Sequence, residues 1–284
     1  MLIYSGKKED KEQWFLVPLQ LKSVPSNISS NMNLTNFLVN PYSQSAEYRN
    51  LLFSESLFFK YLNGDLYEPT EINFGDEVLY LDDIFVSDYR EGIALKTRQK
   101  NVETSRLFTM QHMVLRSRGD RDLGFVFESE LPDFFPSNNL MRLGGDGKVV
   151  QIYPVHINSF DRQAIRKRID ETKKFKVYLA TPALFEVGAT SRAMFNGCFD
   201  DLPGLKFKLI AAAISRAQMY GGYDIVANVP KVSFPAVPAG SVYYFELLEG
   251  SAEDVINAFH NKCISDFRQN QGFGYSFVGG ITHV

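Results

Sequence analysis

Cysteine is scarce in this chain of 284 residues, with Cys198 and Cys263 the only two. They build no disulfide framework and offer no metal-ligand spacing, so a reduced, cytoplasmic setting is the expectation. Long apolar runs are missing as well. No stretch approaches the roughly 18 consecutive apolar residues of a membrane-crossing helix. The opening MLIYSGKKEDKEQWF turns to charge after a few residues, unlike a secretory leader. The four histidines, His112, His156, His260 and His283, lack an H-x-x-x-H or H-x-E spacing, which argues against a metal site. No nucleophile elbow or Cys/His pairing is visible, and no repeat recurs at a fixed short period. His112, in MQHMVLR, has the chemistry of a general base, but a lone histidine in a strand is more often structural. Asp82 and Asp83 form an acidic pair that suits magnesium, yet in an acidic stretch it reads more simply as solvated.

Glycine, by contrast, clusters twice. RLGGDGKV does not make a P-loop: the first glycine of that motif falls at Arg142, and Val149 stands where Ser or Thr would meet magnesium. QNQGFGYSFVGGITHV does not make a dinucleotide loop: G-x-G-x-x-G requires glycine where Phe277 stands, and too few residues follow for the phosphate-holding helix. No cofactor is implied. The same segment does keep part of the RNA-contacting pattern [K/R]-G-[F/Y]-[G/A]-F-V-x-[F/Y]. QGFGYSFV has its glycines and rings but neither the basic start nor the closing aromatic. Glycines let a backbone approach phosphates closely, and rings offer stacking surfaces; a plain β-turn before an edge strand is the competing reading.

The composition is globular, 45% hydrophobic and 22% charged, with 24 Phe and 14 Tyr. Net charge is −3, but its distribution is uneven. Leu51 to Phe85 holds eight acids against Lys60 alone, whereas Val86 to Arg121 holds eight bases against four acids. Asp161 to Lys176 carries seven bases and three acids. Such asymmetry suits a polyanion on one side and a protein on the other, although solvated faces account for it equally well. Arg116 and Arg118 sit at alternate strand positions, where two guanidiniums on one face suit backbone phosphates; pairing with Asp120 and Asp122 is the alternative.

Periodicity organises the second half most clearly. Strands are expected at KVVQIYPV, KFKVYLATPALF (limited by Pro182), and GSVYYFELLEG, while KFKLIAAAIS is a strand or a short helix. Helices are expected at NSFDRQAIRKRIDET, with Ser159 as a cap, and at SAEDVINAFHNKCISDF, with Ser251 and Asp254 as a capping box. YSFVGGI is a last strand. This strand, helix, strands, helix, strand order is ferredoxin-like, the fold of RNA-recognition modules. The first half is strand-dominated: WFLVPLQL, EVLYLDDIFV, LFTMQHMVLRS and LGFVFESE look extended. SAEYRNLLFSESLFFKYLNG is its one helix, ended by Gly64. A domain boundary falls near PSNNLMRLGGDGK, dividing the chain into 1–140 and 141–284.

Several stretches together resemble one family. GIALKTRQKNVETSRLFTMQHMVL, MRLGGDGK, AAAISRAQMYGGYDIVANVPKVSFPAVPAGSVYYFE and QGFGYSFVGG are similar to the third-subunit family of Cmr-type (type III-B) CRISPR effector complexes, within the RAMP superfamily. The resemblance implies an α+β fold of two ferredoxin-like (RRM-like) domains, the first here lacking its opening strand and helix. It implies no catalytic activity of the chain's own, beside the reading above that finds neither a metal site nor a membrane span. It implies binding to the 5′ tag of the CRISPR RNA, with the large polymerase-like subunit and the backbone RAMP subunit as partners. Carried onto this sequence, with the basic residues read above, the RNA-binding residues are Arg116, Arg118, Arg142, Gly144, Gly145, Lys148, Gly272, Phe273, Gly274 and Tyr275. The rivals are a metal-independent ribonuclease that matures the guide, with His112 or a tyrosine as base, and a purely architectural subunit.

Overall fold

The computed structural model describes residues 2–8, 11–25, 34–40, 51–95, 102–116, 123–127, 139–143, 148–155, 161–224 and 226–282. The architecture is mixed, strand-rich with few helices, and falls into two compact units. One comprises Met1–Arg49, Phe53–Val78 and Asp161–Val284; the other comprises Asn50–Leu52 and Leu79–Phe160.

Strands β1 (Leu2–Lys8) and β2 (Lys11–Val17) form an antiparallel hairpin, from Leu2 opposite Val17 to Lys8 opposite Lys11. Pro18 has no amide proton to continue that ladder. WFLVPLQL is therefore split, and β3 (Gln20–Ser23) pairs instead with β4 (Asn36–Val39). β5 (Leu51–Phe53) precedes helix α1 (Glu55–Asn63), which begins later than the apolar pattern suggests. Ser54 takes extended backbone and its hydroxyl accepts from the Leu57 amide at 3.3 Å, a cap that leaves Leu51–Phe53 outside the helix. Gly64 closes α1 at φ 82°, as the sequence leads one to expect. β6 (Thr70–Ile72) adds a third strand beside β2, and β7 (Val78–Tyr80) pairs with β5.

After the single turn α2 (Leu81–Ile84), β8 (Phe85–Leu95) and β9 (Val102–Leu115) make a long two-stranded ribbon. β10 (Leu140–Arg142) and β11 (Val149–Gln151) form a short hairpin. The expected strand at KVVQIYPV thus shrinks to three residues. LGFVFESE fares worse: residues 123–127 adopt no regular structure, with Phe125, Val126 and Phe127 all exposed, and the rest lies outside the described residues. Among the described residues this segment pairs with no strand, and β-propensity alone does not make one.

Helix α3 (Arg162–Thr172) is capped by Asp161, whose carboxylate accepts from the Gln163 and Ala164 amides; the expected cap, Ser159, lies outside the described residues. β12 (Lys174–Leu179) stops before Pro182, and the short α4 (Arg192–Asn196) follows. β13 (Cys198–Phe199) and β14 (Leu202–Ala213) settle the ambiguity at KFKLIAAAIS in favour of strand. The arm beyond it folds as two small hairpins, β15 (Gln218–Tyr220) with β18 (Phe234–Ala236), and β16 (Tyr223–Asp224) with β17 (Val229–Pro230). β19 (Val242–Glu249), α5 (Ala252–Phe259), β20 (Lys262–Cys263) and β21 (Tyr275–Gly280) complete the chain. The predicted Ser251–Asp254 capping box is present. The helix nonetheless ends at Phe259, because His260 turns extended and Lys262–Cys263 pairs with β21; Cys263, Ile264 and Phe267 are therefore not on its apolar face.

A six-stranded sheet in the order β13-β14-β19-β12-β21-β20, antiparallel throughout, dominates this unit. Its first long strand is β12 rather than β11, and the helix that follows that strand is α4 rather than α3. On one face Phe175, Phe207 and Phe245 meet Phe259 of α5, with ring centroids 5.1 to 6.2 Å apart and each side chain 2% exposed or less. Ile165 and Ile169 of α3 and Val255 and Ile256 of α5 extend that core.

His260 belongs to the same packing. Its Nδ1 accepts from the Val278 amide at 3.2 Å, and burial, aided by Arg162, pulls its pKa down to about 4. A lowered folded-state pKa means that the unfolded chain binds the proton first as pH falls. Stability is therefore full above about pH 6.5 and drains away down to about pH 4, by an amount on the order of 1–3 kcal/mol. His260→Asn, which keeps a carbonyl acceptor for Val278, is expected to flatten this acid limb of a melting-temperature profile. An unchanged slope would remove His260 as its source.

Candidate nucleic-acid interface

Between β20 and β21 the chain makes a 3₁₀ turn, Gln269–Gln271, entered through Arg268 at φ 57° and left through Gly272 at φ 81°. Thr181 clamps the exit from both sides: its hydroxyl donates to the Gly272 carbonyl at 2.6 Å and accepts from the Tyr275 amide at 2.8 Å. The Gly274 amide donates to the Pro182 carbonyl at 2.8 Å. The loop is thus a rigid shelf whose outer residues, Gln269 to Gly272, face solvent.

The two glycines at its centre serve different ends. Around Gly272 a Cβ would meet nothing within 4 Å among the described residues, so that backbone is open to a visitor. Gly274 is buried at φ 76°, and a Cβ there would lie 2.5 Å from the Ser265 nitrogen. Its lack of a side chain admits Ser265, whose hydroxyl ties Leu184 to the loop, accepting from its amide and donating to its carbonyl. Phe273 is half-buried with the Tyr220 ring edge-on at 5.6 Å, and the Arg268 guanidinium lies 5.2 Å over the half-exposed Phe234. Two rings of the arm hairpin β15–β18, Tyr220 and Phe234, therefore flank the open turn beside the turn's own Arg268 and Phe273. Tyr220, Phe234, Arg268 and Thr181 were not picked out from sequence; their spacing gives no signal until the arm folds back.

Beyond the turn, the rings of β21 are packed against other rings. Phe58 of α1 packs edge-on against Tyr178 at 4.9 Å and Phe277 at 5.5 Å, and Tyr275 stands edge-on to Phe277 at 5.4 Å. Gly279 and Gly280 let α1 and α3 come this close: a Cβ at 279 would lie 2.7 Å from the Leu62 carbonyl, and one at 280 would lie 2.5 Å from Arg168 Cγ. The second half of the glycine segment therefore packs helices.

The remaining sequence-selected residues lie in the other unit. Arg116 is exposed, and its amide extends the β8–β9 ladder by donating to Ile84 at 2.7 Å. Arg142 ends β10 opposite Val149, and Leu143 donates to Lys148 at 3.1 Å, closing the β10–β11 hairpin below its tip. Lys148 Nζ donates to Nδ1 of His112 on β9, so the lysine and the one histidine considered as a base touch. Arg118, Gly144 and Gly145 lie outside the described residues. Among the described residues no three His, Cys, Asp or Glu side chains gather to hold a metal, and no helix is long and apolar enough to cross a membrane.

Comparison with known proteins adds a family. The model of a family described as CRISPR-associated protein (Cas_Cmr3) matches residues 11–279. Among solved structures, a chain of the type III-B Cmr-beta bound to cognate target RNA is similar at 15% identity and a TM-score of 0.32, over 68% of this chain and 51% of that one. A chain of the same assembly with cognate target RNA and AMPPnP, state 1, is similar at 16% identity and 0.32, over 68% and 52%. This chain thus spans about half the length of those it matches. No curated protein matches significantly.

Proposed function

From the premise that this chain belongs to the CRISPR-associated Cas_Cmr3 family, we propose that it is a non-catalytic RNA-binding subunit of a type III-B effector complex. In this reading it anchors the 5′ tag of the guide and bridges the large polymerase-like subunit to the backbone subunits. The family match over residues 11–279 carries the reading. The strand order of the six-stranded sheet supports it: from β12 the long strands lie second, third, first, fourth, with helices after the first and third, as a ferredoxin-like module requires. The other ferredoxin-like domain would be built around the first half of the chain.

The open turn at Gly272 supplies a surface for phosphates, with Arg268 beside it and rings for splayed bases. Arg268→Glu is expected to weaken tag binding by the assembled complex at least tenfold and to reduce its salt dependence. Gly272→Asn adds bulk at a left-handed position that asparagine tolerates, and should weaken binding without unfolding the chain. Unchanged affinity in both variants, with no RNA crosslink to residues 268–275, would exclude the turn and favour the architectural reading. Cleavage of precursor RNA by the purified protein in EDTA would overturn the non-catalytic assignment.

A further inference from the structure

Lys176 is a charged residue where charge has no business. It sits on central strand β12 and is only 6% exposed. Its Nζ donates to the Tyr61 carbonyl at the end of α1 and lies 3.8 Å from the centre of the Tyr61 ring. It makes no ion pair among the described residues. The acid whose field reaches it, Asp65, is engaged by Arg168 of α3 at 3.6 Å. The other titratable groups around it are Tyr61 from α1, Tyr67 in the segment after it, Tyr244 from β19 and Tyr178 on its own strand; burial pushes the phenols of Tyr61, Tyr178 and Tyr244 upward, so those three stay neutral.

Lys176 also lines a recess of about 120 Å³, together with Gln20, Tyr61, Tyr67, Tyr244 and Thr282. That volume is a few times the roughly 30 Å³ share of one water, enough for a group of three or four heavy atoms. A desolvated lysine without a carboxylate partner, at the wall of a small recess, is the environment that makes an amine nucleophilic.

We propose that Lys176 is an acyl-accepting lysine, modified by small acyl phosphates that enter this recess. In the step, the amine lone pair attacks the acyl carbon, the carbon–oxygen bond of the mixed anhydride breaks, inorganic phosphate leaves with the electron pair, and the nitrogen gives one proton to solvent. The product is a neutral amide whose remaining N–H can still reach the Tyr61 carbonyl. Burial supports the chemistry, because it brings the Lys176 pKa down to about 7. An ordinary lysine, at about 10.4, is only on the order of one part in a thousand neutral at pH 7.5.

The test is a site-resolved rate. The full chain is incubated with acetyl phosphate at pH 7.5 and acetylation is read at each lysine by peptide mass spectrometry, with exposed Lys208 and Lys262 as internal references. Lys176 is expected to react at least about tenfold faster than either. Its rate should level off above about pH 7.5, while theirs climb through pH 9. In urea the advantage should vanish. A rate no higher than the references overturns the proposal, as does a pH profile parallel to theirs or an advantage that survives unfolding.

Discussion

Gly274→Ala is expected to lower the stability of the sheet unit by about 2–5 kcal/mol, while Gly272→Ala, two residues away, costs about 1–2 kcal/mol. Both positions are left-handed, at φ 76° and 81°, so an added Cβ brings a strain of about 1–2 kcal/mol in either case. The difference lies in what that carbon meets. At 272 it points into open space, whereas at 274 it would lie 2.5 Å from the nitrogen and 2.8 Å from the Cβ of Ser265. Backbone cannot swing aside as a flexible side chain does, and overpacking of this kind costs about 1–3 kcal/mol more. The Ser265 hydroxyl also holds Leu184 and Phe267, so displacement would spread through the 182–192 and 264–268 segments. Equilibrium denaturation of the two variants measures the gap; equal losses would show that Gly274 is not a packing residue. The consequence for RNA work is direct: weakened binding by a Gly274 variant says nothing about RNA, whereas Gly272 variants can be read.

Phe175→Ala is expected to cost more, about 3–5 kcal/mol, the range for removing a fully buried phenylalanine. The Phe175 ring is 0% exposed and contacts Phe207, Phe245 and Phe259 with centroids 6.2, 5.1 and 5.8 Å away. These rings come from four separate elements, β12, β14, β19 and α5, so the void cannot close by moving one of them. Phe234, at 43% exposed, serves as the control: Phe234→Ala should stay within about 1 kcal/mol in stability. Comparable losses in the two variants would mean that the aromatic cluster is not the centre of this core.

The two cases show why some of the molecule can be read from its sequence and some cannot. Local signals survived wherever backbone hydrogen bonding depends on near neighbours: Gly64 closing α1, Ser251 and Asp254 boxing α5, and Pro182 lying beyond the end of β12. The apolar run between Gly240 and Gly250 marked a central strand, on which Tyr243, Phe245 and Leu247 are buried. The pattern failed at residues 123–127, which take no strand conformation although Phe125 stacks on Phe85, and where a continuing apolar face concealed the exit from α5 at His260. Sheet membership was invisible altogether, because nothing in KVVQIYPV records that its strand pairs with β10 rather than with the large sheet. At the candidate interface, the glycine segment could be located but not divided. That Gly274 faces Ser265, nine residues back, that Thr181 holds Gly272 from 91 positions away, and that Gly279 and Gly280 face Leu62 and Arg168 is written in contacts no local pattern records.

The seating of α1 on Gly279 carries a consequence for synthesis. Residues 55–63 leave the ribosome more than two hundred residues before the strand that receives them. At about 5–20 residues per second, Leu62 and the second face of Phe58 wait on the order of 10–40 s for Gly279 and Phe277. Until then the nascent chain offers α1 at most part of its seat, Tyr178 and Lys176 of β12, and the large sheet lacks the strand that sits beside β12. Premature termination anywhere before β21 would therefore release a chain that cannot complete this unit, which makes the late-synthesised segment a natural checkpoint between full-length subunits and products destined for proteolysis.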